Sequence, residues 1–275
     1  MAIDLAPLWD FNHPDLSEQR FRAALANATG DDALILQTQI ARTYGLRKDF
    51  ATARSTLQSI APRIANAGPE VRTRYHLELG RTYVSATHTA EQQTPQSREL
   101  ARAEYQLALA EAREASLDGL AIDAIHMLAF VDTAPADQLK WGQQALAVVE
   151  SSTQPDARRW EASIRNNIGY ALHELGRYDE ALQQFKLALA LREQGTNAEA
   201  TRAARWMVAW TLRALGRSDE ALQIQLRLDR EADAAGEPDP FVLEELEILY
   251  RDRGNAERAD HYRQRRTALK PGDQQ

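Results

Sequence analysis

Between Glu161 and Leu191 the apolar residues fall at helical spacing twice over. Ile164, Ile168, Ala171, Leu172 and Leu175 form one stripe, and Ala181, Leu182, Phe185, Ala188, Leu189 and Leu191 form a second. Residues three and four apart share a face of an α-helix, so the stretch predicts two amphipathic helices in succession. Gly176 sits where the first helix needs a left-handed residue just past its end, and Asp179-Glu180 put negative charge on the first turn of the next. The expected product is a helical hairpin. Its small residues imply close arms, with Gly169 expected to face Ala181 and Phe185 filling the space further along.

The rest of the chain reads as better or worse copies of this hairpin. Ile40-Ala41 and Tyr44, then Phe50, Ala53, Leu57 and Ile60, predict one over roughly 33–66. Leu79-Gly80 and Tyr83, then Ala101, Tyr105 and Ala108, predict the next. From Gly80 to Ala101 is 21 residues, where Gly169 to Ala181 is 12. The polar, Pro95-containing excess from Val84 to Arg98 is therefore expected to project from the packed helices as a mobile loop. A degenerate third copy carries Leu128-Ala129, Pro135, Leu139, Trp141, Ala145 and Leu146. After the reference hairpin, Leu215 to Gln223 repeats its turn as Leu-Gly-Arg-Ser-Asp-Glu-Ala-Leu-Gln, and Phe241 to Arg253 pairs with Ala256 to Leu269. Ahead of all of these, Pro14 opens a helix expected to run to about Thr29 and to be ended by Gly30-Asp31-Asp32, and Leu5, Leu8, Trp9 and Phe11 are expected to fold back on it. The last helix has a narrow stripe of Ala256, Ala259, Tyr262 and Leu269. Its arginines, Arg258, Arg263, Arg265 and Arg266, are expected to pair with Glu244, Glu245 and Glu247.

The series Ile168-Gly169, Leu172, Ala181, Phe185, Ala188 resembles the tetratricopeptide repeat pattern L-G-x-x-Y, A-x-x-x-F, with Leu172 in place of the tyrosine, Arg165 in place of a preferred tryptophan and Glu193 in place of a proline. Ala221 lies 40 positions after Ala181 and Ala259 38 after Ala221, longer than the usual period of about 34, as in kinesin light chains and some bacterial regulators of this family. The resemblance implies an all-α, right-handed superhelical solenoid of about six helix-turn-helix repeats with capping helices at both ends. It divides the chain into an N-terminal capping segment over 1–32, a repeat array over 33–269 and a polar tail over 270–275.

In such arrays the first helix of each hairpin lines a concave groove. With Gly169 as position eight of its repeat, positions two, five, six, nine and twelve face inward. The resemblance thereby implies a partner-binding surface of Arg74 and Arg81, His126 and Phe130, then Asn166, Asn167, Tyr170 and His173, then Trp206, Met207, Trp210 and Arg213, and finally Glu244 and Glu245. Such a groove would be basic at one end, aromatic and amide-rich in the middle and acidic at the other. Asn166-Asn167 resemble the asparagines with which chaperone-binding relatives hold a peptide's backbone and carboxylate, although the accompanying basic positions of that clamp are missing.

Composition narrows the function classes. The 275 residues contain no cysteine, which excludes disulfides, thiolate catalysis and zinc–thiolate sites. The six histidines include no H-E-x-x-H pair, and no G-x-G-x-x-G, Walker or G-x-S-x-G motif occurs, so neither a metal, a cofactor nor an enzymatic activity is expected. A net charge of −7, spread along the chain, gives no footprint for nucleic acid. No window nears the roughly 18 apolar residues of a membrane span, and the start of the chain lacks a basic, then apolar, leader. The expectation is a cytoplasmic, non-catalytic scaffold or adaptor, monomeric or homodimeric, binding a peptide or protein segment in its groove. A ligand- or peptide-sensing regulator, or a self-associating structural protein, is the alternative.

Overall fold

The computed structural model describes residues 3–269, and every regular element among them is helical. The chain forms two compact units, 1–160 and 161–275. The first contains α1 (Pro14–Leu25), α2 (Gly30–Leu46), α3 (Phe50–Ile64), α4 (Pro69–Arg81), α5 (Pro95–Glu114), α6 (Asp118–Val131), α7 (Pro135–Ser151) and the single turn α8 (Pro155–Arg158). The second contains α9 (Glu161–Glu174), α10 (Tyr178–Arg192), α11 (Ala198–Ala214), α12 (Ser218–Ala235), α13 (Pro240–Asp252) and α14 (Ala256–Ala268). The tail expected at 270–275 lies outside the described residues.

Antiparallel pairs are the building block in both units: α2 with α3, α4 with α5 and α6 with α7 in the first, α9 with α10, α11 with α12 and α13 with α14 in the second. Four of their six turns, those of α2/α3, α9/α10, α11/α12 and α13/α14, share one device. A residue with positive φ follows the first helix at Lys48, Gly176, Gly216 and Gly254, as Ser116 does between α5 and α6, and the next N–H reaches five residues back to a helical carbonyl, as from Arg177 to Leu172 at 2.9 Å and from Asp49 to Tyr44 at 3.0 Å. This bond satisfies a carbonyl that the helix end leaves open. Only at the glycines was it legible in the sequence, because Lys48 and Ser116 adopt the left-handed conformation despite their Cβ atoms.

In two hairpins the close approach is made by a glycine beneath an aromatic ring. Gly169 packs under the ring of Phe185, so near that a Cβ on Gly169 would lie 2.7 Å from Phe185 Cε1. Gly80 does the same under Tyr105, at 2.5 Å from Cε1. In each case a glycine on the first helix receives a flat ring from the second, and both rings are fully buried.

Two expectations are corrected. The first helix ends at Leu25, and Gly30-Asp31-Asp32 opens α2 instead of closing α1, with both aspartates on its first turn, where they suit the helix dipole. The long connection between α4 and α5 is shorter than expected, α5 beginning at Pro95, and its first part packs, although Thr89 to Gln92 are exposed. Val84 is fully buried and accepts the Tyr105 hydroxyl at 2.5 Å, Thr87 Oγ1 donates to Gly45 O at 3.3 Å, and His88 stacks on Phe50 at 3.8 Å between ring centroids. A polar segment was here recruited to cover the α2–α3 turn, which alternation of polar residues cannot reveal. At the N-terminus Leu5, Leu8 and Trp9 do pack on Phe21, Leu36 and Ile40.

Candidate functional site

Each unit presents the inner face of its first helices, and the two faces have different chemistry. In the first unit α2, α4 and α6 line a hollow of about 220 Å³. Its base is ionic. Arg81 lies 2.6 Å from Glu78 Oε1 and 2.5 Å from Asp123 Oδ1, and Arg42 lies 3.7 Å from Glu78 Oε1. Burial pushes the Asp123 carboxyl up, but the Arg81 and Arg42 guanidiniums outweigh it and hold the group below its ordinary range. Arg81 is raised, its two carboxylates overcoming the opposing effect of burial, whereas burial and the repulsion of Arg81 lower Arg42. Arg42 also lies 5.5 Å from the ring centroids of both Trp9 and Phe11, within cation–π range. His126, at the edge of Phe130 and 5.5 Å from Trp160, is kept below its usual pKa by burial and by Arg81 and Arg42, against the pull of Asp123.

The expected basic end of a groove is therefore not what the first unit offers. Arg81 is engaged by two buried carboxylates, and Arg74 pairs with Glu70 at 2.9 Å. Arg42, Glu78 and Asp123 were missed by the sequence reading. They occupy positions nine, six and two of their repeats, which belong to the same inward set as position nine of Arg81 and position five of His126, so the same spacing points to them.

In the second unit the inner face is aromatic. Tyr170 on α9 stacks with Trp210 on α11 at 5.9 Å, Trp210 with Trp206 at 5.7 Å, and Trp206 meets Phe241 on α13 edge-on at 6.3 Å. His173 lies flat on Trp210 at 3.4 Å. Burial and the Arg213 guanidinium push this imidazole down to about 4, so it is neutral at physiological pH and packs as an aromatic ring. Tyr170 and Phe241 are 44% and 59% exposed, while Trp206 and Trp210 are half-buried. Trp206 is thus both wall and surface: it packs on the cluster of Leu228, Val242 and Leu246, and its indole nitrogen is buried without a hydrogen-bond partner. Arg213, expected to meet a partner, instead makes a bidentate pair with Glu245, both bonds at 2.8 Å, which also removes most of the acidity expected at the far end. Asn166, Asn167 and Met207 lie half-buried on α9 and α11. Phe241, absent from the expected set, is position two of the last repeat.

Among the arginines of α14 Arg266 takes expected partners and Arg265 takes others. Arg265 binds Asp229 at 3.0 Å and Asp233 at 2.5 Å, and only Arg266 reaches Glu247 and Glu244. Among the described residues no group of three His, Asp or Glu side chains is placed to hold a metal ion, and no helix is long and apolar enough to cross a membrane.

Residues 160–227 match the family model described as tetratricopeptide repeat. No curated protein sequence matches the chain. Among solved structures, BtubC (BKLC) from P. vanneervenii is similar with a TM-score of 0.63 and 16% identity, over 85% of this chain and 93% of that one. The apo form of RapI is similar with a TM-score of 0.71 and 12% identity, over 93% of this chain and 70% of that one. A Rap protein complexed with competence and sporulation factor gives a TM-score of 0.55 and 15% identity, over 94% and 80%. At such identities the likeness is one of fold.

Proposed function

We propose, from the premise that this chain has the all-helical fold of tetratricopeptide-like repeat proteins, that it is a non-catalytic scaffold binding a protein segment along the aromatic face of its second unit. The observation that carries this reading is the run Tyr170, Trp210, Trp206 and Phe241, contributed by the first helices of three successive hairpins. Large rigid rings lose little entropy on binding, and half-exposed tyrosines and tryptophans supply a disproportionate share of interface energy. A ring such as Phe241 has no reason in packing to stand 59% exposed. The similar Rap structure, which holds competence and sporulation factor, is in keeping with a binding role for the fold.

Partners captured from a cell extract and identified by mass spectrometry supply the ligand for a quantitative test. Tyr170→Ala, alone and with Trp210→Ala, should weaken the identified partner, the double variant by at least about 2 kcal/mol, while Tyr170→Ala leaves the thermal melt unchanged. Undiminished binding by both variants would overturn the aromatic face as the site.

A further inference from the structure

Beyond the aromatic run, the second unit holds a cavity of about 640 Å³ between the start of α11, the end of α12 and the start of α13. Its floor is apolar, made by the buried side chains of Leu228, Ala232 and Val242, and its walls include Trp206, Met207 and Phe241. The volume falls within the roughly 300–1,000 Å³ of ligand sites and admits a long side chain. α11 and α13 meet only sparsely beside it.

The rim is charged and lopsided. Glu199, Glu237 and Asp239 stand there against a single cation, Arg202. Asp239 is committed to capping α13, accepting from the N–H groups of Phe241 at 2.8 Å and Val242 at 3.3 Å, whereas Glu199, Glu237 and Arg202 form no ion pair among the described residues. The N-termini of α11 and α13 each add about half a positive charge and the C-terminus of α12 about half a negative one. These corrections reduce the negative excess without reversing it. Trp206 and Phe241, edge to face, both line the cavity and offer it aromatic rings that attract a cation.

We infer that this cavity receives a basic side chain, lysine or arginine, of the bound segment, its methylene stem on the apolar floor, its charge beside Trp206 and Phe241 and facing the carboxylate rim. The inference rests on the binding role proposed for the aromatic face and specifies the partner: a segment with a basic residue where it passes the gap between α11 and α13. A purely apolar side chain would satisfy the floor and leave the unpaired carboxylates unused. An acidic one would be repelled.

The test uses the full-length, nitrogen-15-labelled protein and the indole N–H resonance of Trp206, assigned through Trp206→Phe. Acetylated, amidated tripeptides Gly-X-Gly with X as Arg, Lys, Leu or Glu are titrated in turn. The Arg and Lys peptides should shift the Trp206 signal saturably, about threefold more tightly than the Leu peptide, the scale of one exposed ion pair, and the Glu peptide should bind most weakly. Glu237→Gln should weaken the Arg peptide and Arg202→Gln strengthen it. A Leu peptide that binds as tightly as the Arg peptide, or a Trp206 signal unmoved by every peptide, would overturn the inference. Either result is distinct from failure of the aromatic-face reading, which is judged on Tyr170 and Trp210, neither of which lines the cavity.

Discussion

Gly169 shows how much a single side chain decides here. A methyl group there would sit 2.7 Å from the Phe185 ring, which is fully buried and has nowhere to move. Alanine gains about 1 kcal/mol of helix propensity over glycine, but overpacking of a buried ring costs about 1–3 kcal/mol. Gly169→Ala is therefore expected to lower the melting temperature, and Phe185→Leu added to it to recover part of the loss, as read by thermal denaturation with circular dichroism. His173 carries a second prediction. Because its folded-state pKa is depressed to about 4, the unfolded chain binds a proton here first as pH falls below the usual histidine value of about 6.5. The contribution of the neutral, stacked ring is complete above that value and is lost as pH drops from about 6.5 towards 4. His173→Phe keeps the stack on Trp210 without the proton, so its melting temperature should fall less than that of the parent across this window.

At the scale of elements, the connection between α4 and α5 is the part most changed by tertiary context. Its own composition argues for a solvated loop, yet Val84, Thr87 and His88 tie it to α2, α3 and α5. Excising 85–93 removes the His88–Phe50 stack and uncovers Phe50, which is 9% exposed in the intact protein. The deletion is expected to lower the melting temperature by several degrees while most helical ellipticity persists, since 1 kcal/mol shifts a domain of this size by roughly 2–4 °C. An unchanged melt would mean that the packing of this segment contributes nothing. The long period has its explanation at the same scale: α11 and α12 are 17 and 18 residues, so the repeat is lengthened within its helices as well as between them.

For the molecule as a whole, the two units solve the same problem of an inner face in opposite ways. The first neutralises charge internally and the second stacks rings. The ionic solution is fragile to single changes. Arg81→Met leaves Glu78 and Asp123 facing each other with their main cation gone, and breaking a buried pair in this way costs about 3–5 kcal/mol. Adding Glu78→Met and Asp123→Leu should restore much of that stability, because desolvating paired charges gains little over apolar packing. Denaturant titration of the single and triple variants reads both effects. No comparable loss is expected from Arg177→Met, whose pair with Glu180 is exposed at a hairpin turn.

The hairpins, their small-residue contacts and their glycine turns could be read from the sequence alone, because helical periodicity and left-handed caps are properties of neighbouring residues. The tetratricopeptide likeness followed from Ile168-Gly169, Ala181 and Phe185, and the inward positions led to Tyr170, His173, Trp206 and Trp210, which the structure does bring together. Other features needed tertiary structure. That the Phe185 ring lies directly over Gly169 depends on how far one helix is displaced along the other. Arg81 and Arg213 lost their freedom to carboxylates 42 and 32 residues away. The cavity beside Trp206 is assembled from the start of α11, the end of α12 and the start of α13. Distances between helices are set by the sum of many packed side chains, and no local pattern encodes that sum.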